Sequence, residues 1–133
     1  MSLEKIMSTP VVSVEMDSSL AEIKRIFEDT GFHHLVVVED NRLVGIISDR
    51  DLLKALSPKL GTAAACDSDL ATLNKKAHQV MTRKPICIHR ETIVLKAIEV
   101  FKKYKISCIP VVDDRQYPVG IVSWRDIFMA ITT

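Results

Sequence analysis

Two short segments of the chain have the residue types and the spacing to hold a polar ligand. Ser48 precedes Asp51 by three positions, and Ser123 precedes Asp126 in the same way. Each segment follows an apolar stretch with a glycine, which predicts a strand that delivers the serine to the start of a helix. Unpaired N–H groups and the helix dipole favour an anionic or oxygen-rich group there. A hydroxyl, a carboxylate and free N–H donors together suit a ribose with a phosphate nearby.

The same spacing also has a purely structural interpretation. Ser-x-x-Asp at the start of a helix is a common capping pattern, in which both side chains satisfy backbone N–H groups. A single occurrence would favour that interpretation. The pattern occurs twice, each time after Val-Gly-Ile, which indicates a duplicated fold unit without showing that both copies bind a ligand.

The duplication extends well beyond these two segments. Three pairs of segments match: Val44–Asp51 with Val119–Asp126, Ile6–Ser8 with Val80–Thr82, and Leu35–Val38 with Ile109–Val112. The matched positions are 74 residues apart at Met7 and Met81, and 75 apart at Gly45 and Gly120. An internal repeat constrains the architecture more than any local pattern does. Two copies are too few for a solenoid, so we predict two half-domains that face each other.

Hydrophobic periodicity predicts a strand, a helix, two strands and a second helix in each copy. In the first copy these are a strand at 11–14, a helix from Leu20 to Gly31, strands at 35–38 and 43–47 joined by a turn, and a helix capped by Ser48 or Asp49. In the second copy they are a strand at 85–88, a helix after Thr92 as its cap, strands at 109–112 and 119–123, and a helix at 125–131. A capping box is predicted at Ser19 and Glu22. The fold class is therefore α/β, or α+β by some schemes.

The copies delimit three parts of the chain. Residues 1–58 form the first domain, 59–79 a linker and 80–133 the second domain. Within the linker, Gly61 to Ala65 are small and flexible, and residues 69–76 predict a short helix.

Composition excludes several function classes. The 133 residues are 47% hydrophobic and 26% charged, which is ordinary for a globular protein, and the net charge of +1 gives no electrostatic case for nucleic acid or a membrane surface. No apolar run is long enough to span a bilayer, and the first residues lack the layout of a secretory signal. Cys66, Cys87 and Cys108 form no Cys-x-x-Cys pair, so we expect reduced thiols in a cytoplasmic protein, with a redox-sensing thiol as the alternative.

The Met-Ser and Met-Thr starts, the paired apolar strands and the two Gly-x-x-Ser-x-x-Asp segments together resemble a tandem cystathionine-β-synthase-type (CBS) domain pair, or Bateman module. The resemblance covers nearly the whole chain outside 59–79 and is greatest to short stand-alone bacterial members. It implies two βαββα units packed sheet to sheet into one pseudo-two-fold module, with clefts between them. The ligands that it implies are AMP, ADP, ATP or S-adenosylmethionine, bound for regulation and not as a required cofactor.

The resemblance also assigns roles to individual residues. Asp51 and Asp126 would accept hydrogen bonds from ribose hydroxyls, and Ser48 and Ser123 would contact ribose or phosphate. Because the helix starts face solvent, substituting either aspartate should weaken binding with little change in stability. The implied neighbours of adenine are apolar or small residues: Val12, Leu35, Pro85, Ile86, Cys87, Ile109 and Pro110. The implied partners of phosphate are basic: His33, His34, Arg50 and Arg125.

The two copies differ at these positions. Ser107 and Cys108 stand where the first copy has His33 and His34, and Val36 stands where the second copy has the family's customary proline, Pro110. These differences predict two inequivalent sites. If the histidines contact phosphate, affinity for phosphorylated ligands should rise as the pH falls from about 8 to 6.

Several residues keep alternative interpretations. The two histidines could also be surface residues or metal ligands, but neighbours on a strand point to opposite faces, so no metal site is predicted. Trp124 either stacks on a ligand or partner or packs within the fold. Lys102 to Lys105 fit a solvated helix end better than a nucleic-acid patch.

The resulting prediction is a non-enzymatic module that binds an adenosine-containing ligand and signals by conformational change. No nucleophile–base pair, Walker loop or metal spacing supports catalysis. The alternative is a structural or protein-interaction module with vestigial nucleotide sites. The expected partners are the ligand, a second copy of the chain and a regulated protein, with neither nucleic acid nor a membrane among them.

Overall fold

The computed structural model describes residues 1–132 and shows the predicted element order in both copies. The first copy consists of β1 (Ser13–Glu15), α1 (Leu20–Thr30), β2 (His34–Glu39), β3 (Arg42–Ser48) and α2 (Asp49–Ala55). The connecting segment contains α3 (Asp67–Leu70), a 3₁₀ turn (Ala71–Asn74) and α4 (Ala77–Val80). The second copy follows with β4 (Thr82–Arg83), β5 (Ile88–His89), α5 (Val94–Lys103), β6 (Cys108–Val112), β7 (Pro118–Ser123) and α6 (Trp124–Ile131). The predicted α/β fold class is confirmed.

The chain folds into two compact units that do not follow sequence order. The first-copy unit contains residues 12–39 and 44–83. The second-copy unit contains residues 1–11, 40–43 and 84–132. Each unit therefore combines one copy of the repeat with the Met-Ser or Met-Thr segment that precedes the other copy.

The first-copy unit is built on a four-stranded sheet in the order β1-β2-β3-β4. β1 runs parallel to β2, with Val14 opposite Val37, and β4 runs antiparallel to β3, with Thr82 opposite Ile46. All four residues from Leu35 to Val38 are buried, as the continuous apolar run predicts for a strand covered on both faces. The sheet packs on the apolar face of α1 around Leu20, Ile23 and Phe27.

The second-copy unit repeats this arrangement with a three-stranded sheet in the order β5-β6-β7. Ser8 adds an antiparallel bridge to Ile121 on β7, at the place that Thr82 holds opposite Ile46 in the first-copy unit. Leu3, from a 3₁₀ turn (Leu3–Lys5), is completely buried in the same core as Phe101. The N-terminal segment is thus part of the second-copy core.

Local sequence signals correctly predicted several of the points at which helices and strands begin or end. Ser19 Oγ accepts the Glu22 N–H at 3.2 Å and starts α1, which supplies the serine half of the predicted capping box. Gly31 ends the same helix with a φ of 71°, a conformation that glycine adopts without steric cost. Asp40 and Asn41 both have positive φ in the turn between β2 and β3.

Three local predictions differ from the structure. The strand predicted at 85–88 begins only at Ile88, because the backbone before it does not pair with β6. Ile93, and not Thr92, occupies the cap position of α5, and its side chain makes no capping hydrogen bond. The predicted linker helix at 69–76 is divided into α3 and the following 3₁₀ turn.

Candidate functional site

Asp126 lies one turn into α6, at the end where β7 delivers Ser123. The Ser123 N–H donates to Asp126 Oδ2 at 2.9 Å, and the Asp126 N–H donates to Ser123 Oγ at 3.3 Å. This reciprocal pair is a capping box, so the capping role predicted for Ser-x-x-Asp is confirmed in this copy. A carboxylate at a helix N-terminus also benefits from the helix dipole.

Ser8 brings a second hydroxyl to the same carboxylate. Its Oγ donates to Asp126 Oδ1 at 3.0 Å and lies 3.2 Å from Oδ2, although the two residues are 118 positions apart in the chain. The backbone holds Ser8 there, because its N–H donates to the Ile121 carbonyl at 2.8 Å and its carbonyl accepts the Ile121 N–H at 3.1 Å. Ser8, Ser123 and Asp126 therefore form one polar cluster in the second-copy unit.

The first-copy unit has the same capping box without that third member. The Ser48 N–H donates to Asp51 Oδ2 at 2.9 Å, and the Asp51 N–H donates to Ser48 Oγ at 3.0 Å. Thr82 occupies the position that matches Ser8, but the hydrogen bonds described for Asp51 within residues 1–132 are both with Ser48. The two carboxylates thus have different hydrogen-bond partners, through a difference between Ser8 and Thr82 that the sequence analysis did not identify.

In both copies the carboxylate helps to hold the helix start. The sequence led us to expect little change in stability on its removal; from the capping boxes we now predict a loss of about 1 kcal/mol, the typical cost of a lost capping interaction. This cost accompanies any effect that substitution has on a ligand.

The His33 side chain is hydrogen-bonded to a carboxylate of its own unit. Its Nδ1 lies 2.9 Å from Asp49 Oδ2, and its backbone carbonyl accepts the Asp49 N–H at 2.9 Å. The hydrogen bond from His33 lowers the pKa of Asp49, so this carboxylate stays ionised. The His33 side chain is 77% exposed, and a phosphate that approached it would also meet the negative charge of Asp49.

His34 differs from its neighbour because it is half-buried at the start of β2. Burial lowers the pKa of His34 below its ordinary value, more than the nearby Asp49 and Asp51 raise it. Without a bound anion the imidazole is therefore neutral at neutral pH. At the position that matches His34, the thiol of Cys108 is also buried, and burial raises its pKa to about 12.

The remaining predicted residues divide by burial. Arg50, Arg125 and Cys87 are exposed, whereas Val12, Pro85 and Ile86 are half-buried and Leu35, Ile109 and Pro110 are buried. Ile109 and Pro110 lie opposite Val122 and Ile121 on β7, next to the strand end that leads into Ser123. The three buried residues have almost no exposed surface, so the prediction that they contact adenine directly is not supported by their burial.

Residues 1–132 contain no group of three His, Cys, Asp or Glu side chains placed to hold a metal ion. Among the helices formed by these residues, none combines the length and the hydropathy that crossing a bilayer requires.

Comparison with known families decides which kind of unit is repeated. The model of the CBS domain matches residues 3–58 and again residues 77–133. The chain belongs to the CBS domain family. Both matches include the Met-Ser or Met-Thr start and the Ser-x-x-Asp segment, so the CBS repeat accounts for the symmetry between the two copies.

Several relatives from Methanocaldococcus jannaschii share this CBS pair. An L-aspartate semialdehyde sulfurtransferase is 33% identical over 94% of this chain, and an inosine-5′-monophosphate dehydrogenase is 28% identical over 93%. The chain spans only 22% of the length of each. The uncharacterized protein MJ1426 is 30% identical, and its alignment covers 98% of this chain and 91% of that protein.

Solved structures have the same fold. The CBS domain pair of protein MJ0100, in complex with 5′-methylthioadenosine and S-adenosyl-L-methionine, is 31% identical with a TM-score of 0.78. The match covers 98% of this chain and 95% of that one. A CBS domain protein designated NE2398 has the same TM-score at 18% identity and shows the fold alone.

Two residues of this CBS pair were not predicted as parts of the site. Ser8 was noted only as part of the Met-Ser start, and Asp49 only as a helix cap. The repeat of Met-Ser as Met-Thr was a signal for Ser8, because a polar residue kept at matched positions of two copies calls for an explanation. No sequence signal placed Asp49 against His33.

Proposed function

We propose that this CBS pair is a non-enzymatic regulatory module that binds an adenosine-containing ligand and passes on its occupancy by conformational change. The observation that carries the proposal is the doubled Ser-x-x-Asp box, which places an ionisable carboxylate at the mouth of α2 and again at the mouth of α6. Such a module responds to a ligand only if the ligand binds two conformations with different affinities.

The chemistry of the boxes suits a ribose. Asp51 accepts the Ser48 N–H, and Asp126 accepts both the Ser123 N–H and the Ser8 hydroxyl, whereas a carboxylate offers about four acceptor positions in all. Acceptor capacity therefore remains for the two hydroxyls of a ribose, at Asp51 in one unit and Asp126 in the other. Ser48 and Ser123 supply hydroxyls beside them, and the helix N-termini favour a phosphate or a carboxylate of the ligand.

The base of the ligand needs apolar surface as well. In the second-copy unit the half-buried Pro85 and Ile86 offer apolar edges, with Cys87 exposed next to them, whereas Ile109 and Pro110 are buried. In the first-copy unit Val12 and Leu35 hold the matching positions. Adenine would pack against these edges while its ribose reaches the carboxylate.

Charge distinguishes the two units. In the first-copy unit His34, neutral without a ligand, gains a proton more easily beside a phosphate, because a nearby negative charge raises the pKa of an imidazole. Arg50 and Arg125 are exposed next to the two aspartates and free to turn towards a phosphate. We infer that the first-copy unit prefers the more highly phosphorylated ligands.

The protein MJ0100 supports this proposal most directly, since its CBS pair is 31% identical and was crystallised with two adenosine compounds. The ligand of the present chain need not be either of them. The longer relatives have their own catalytic parts outside the matched segment, so their substrates carry no weight here.

A thermal-shift panel tests the proposal. AMP, ADP, ATP, S-adenosylmethionine, methylthioadenosine and NADH are added separately, with adenine-free ribose 5-phosphate as the control. A ligand that binds only the folded chain at a hundred times its Kd stabilises it by about 2.7 kcal/mol and raises the melting temperature. Failure of every adenosine compound to raise it would favour the alternative, an interaction module with vestigial sites.

We also infer that two copies pair in the cytoplasm. Large apolar side chains remain exposed on the helices, among them Leu53 on α2, Leu95 on α5 and Phe128 on α6. Large apolar side chains left exposed on helices are the material from which interaction sites are built. Light scattering should give twice the chain mass of 14.9 kDa, and a single-chain mass throughout the micromolar range would contradict the pairing. The three free cysteines agree with a reducing compartment.

A further inference from the structure

The helices α1 and α5 are equivalent in the repeat, yet they carry opposite charges. Four matched positions are charged in both helices, and at each of them the signs differ. The pairs are Glu22 with Lys96, Arg25 with Glu99, Glu28 with Lys102, and Asp29 with Lys103. All eight side chains are exposed, so no requirement of the core explains the reversal.

A groove opens beside α1 in the first-copy unit. Its volume is about 340 Å³, its floor is apolar and includes Phe27, Leu52 and Leu56, and Leu53 stands at its edge with 71% of its surface exposed. Glu28 and Asp49 give its rim two carboxylates. Lys24 also lies on this rim and is held by Glu28 in an ion pair within α1.

In the second-copy unit an aromatic side chain fills the place that matches the groove, and apolar side chains project from the surface there. Trp124 replaces Asp49, and its ring lies 4.7 Å from the ring of Phe101, which matches Phe27. Trp124, Phe128 and Ile131 recur at the spacing of one helix face and are 45%, 62% and 66% exposed. Lys102 lies at the position that Glu28 holds in the other unit, so this apolar stripe is flanked by positive charge.

We propose that the apolar stripe of the second-copy unit docks in the groove of the first-copy unit of a second copy of the chain. The proposal rests on the pairing inferred above and specifies which surfaces meet. A projecting stripe fits a groove, and Lys102 and Lys103 then approach Glu28 and Asp29 with opposite sign. Contact between two second-copy units would instead bring like charges together, which opposes association.

Two charge-reversal variants test the arrangement. One is K102E with K103E, and the other is E28K with D29K; a third chain combines all four changes. All four positions are exposed, and circular dichroism with thermal melting checks that each chain folds as the parent does. Sedimentation velocity then measures self-association at about 50 mM and 500 mM salt, between which screening of exposed charges increases strongly.

The two arrangements give opposite results. Docking of stripe into groove predicts that each reversal weakens self-association at least about tenfold, that the combined chain recovers it, and that salt weakens association of the parent. If the same unit of both chains met instead, each charge reversal would replace one like-charge contact with another and would leave association unchanged. Salt would then strengthen association, because it screens the repulsion. That second pattern overturns the proposal while leaving the pairing intact; a parent chain that is monomeric throughout would refute the pairing itself.

Discussion

The Asp126 carboxylate holds the start of α6, and in the proposed function it also accepts hydrogen bonds from a ligand. It accepts the Ser123 N–H and the Ser8 hydroxyl, and this pair of hydrogen bonds fixes the plane of the carboxylate. A fixed acceptor loses less conformational entropy when a ribose hydroxyl arrives. Asp51, described only with its capping partner Ser48, is oriented by fewer contacts.

Ser8→Ala should therefore weaken ligand binding at the second-copy unit, because Asp126 loses a contact that orients it before the ligand arrives; the loss should stay below the roughly tenfold expected when a hydrogen bond to the ligand itself is removed. Calorimetry in the Asp51→Ala background isolates this site. Ser8→Thr, which places the residue of the matched position there, should restore binding because it keeps the hydroxyl. The matched variant Thr82→Ala should leave the affinity at either site unchanged; equal losses from Ser8→Ala and Thr82→Ala would show that orientation of Asp126 is not the cause.

The half-buried His34 makes stability depend on pH in a defined direction. An unfolded chain protonates histidine near pH 6.5, whereas burial lowers the pKa of His34 in the folded chain. As the pH falls below about 6.5 the unfolded chain binds more protons than the folded chain, so the free energy of unfolding decreases. Above that pH the imidazole is neutral in both states and contributes no pH dependence.

Thermal melting from pH 8 to pH 5 measures this effect. His34→Gln should lose less stability on acidification than the parent, whereas the control His78→Gln should follow the parent. An identical decline in all three chains would assign the pH dependence to other groups. The earlier expectation that affinity for phosphates rises between pH 8 and 6 also changes, because the lowered pKa moves much of that rise below pH 6.5.

At the scale of the elements, each unit contains the Met-Ser or Met-Thr segment that precedes the other copy, here called the exchanged segment. These segments explain why each copy has a glycine before its Ser-x-x-Asp box. A Cβ on Gly45 would meet the sulfur of Met81, and one on Gly120 would meet Met7 Sδ at 2.5 Å and the Ser8 carbonyl oxygen at 3.1 Å. Neither glycine has a positive φ. The close approach of the exchanged segment, and not backbone conformation, therefore requires glycine at both positions.

Gly120→Ala should destabilise the chain by about 1–3 kcal/mol, the cost of overpacking a tight contact. Gly45→Ala should cost less, because the three atoms nearest to the added Cβ all belong to the flexible Met81 side chain. Denaturation by urea compares the two variants with the parent. Introducing Met7→Ala should reduce the cost of Gly120→Ala, and full additivity of the two changes would show that the exchanged segment is not the neighbour that matters.

The sequence predicted the elements whose signals are local. Gly31 ends α1, the turn at Asp40 and Asn41 joins β2 to β3, and Ser48 caps α2 because nearby residues determine each of these features. The contact of Ser8 with Asp126 was beyond such reasoning, since it joins residues 118 positions apart in the chain. The predicted cap of α5 was wrong although its signal is local. Thr92 has the right chemistry for a cap, but the helix starts one residue later, after Ile93.

At the scale of the whole molecule, duplication gives the chain two Ser-x-x-Asp boxes with one plan and different surroundings. The first-copy unit has His33, His34 and the Asp49 carboxylate near its box, and the second-copy unit has Ser8. Two inequivalent sites allow one ligand to change the affinity of the other if each prefers a different conformation. The opposite charges of α1 and α5 show the same divergence on the outer surface.

The central claim is that the two aspartates hold an adenosine-containing ligand, and calorimetric titration of the parent, Asp51→Ala, Asp126→Ala and the double variant tests it most directly. The titrants are the compounds that raise the melting temperature, and the titrations run well below the melting point because each lost cap costs about 1 kcal/mol. Asp17→Ala, exposed and outside both boxes, is the control. Each single variant should weaken one site by about 1.5–3 kcal/mol, roughly 10- to 150-fold, and the double variant should weaken both. A double variant that binds adenosine compounds as tightly as the parent would contradict the account.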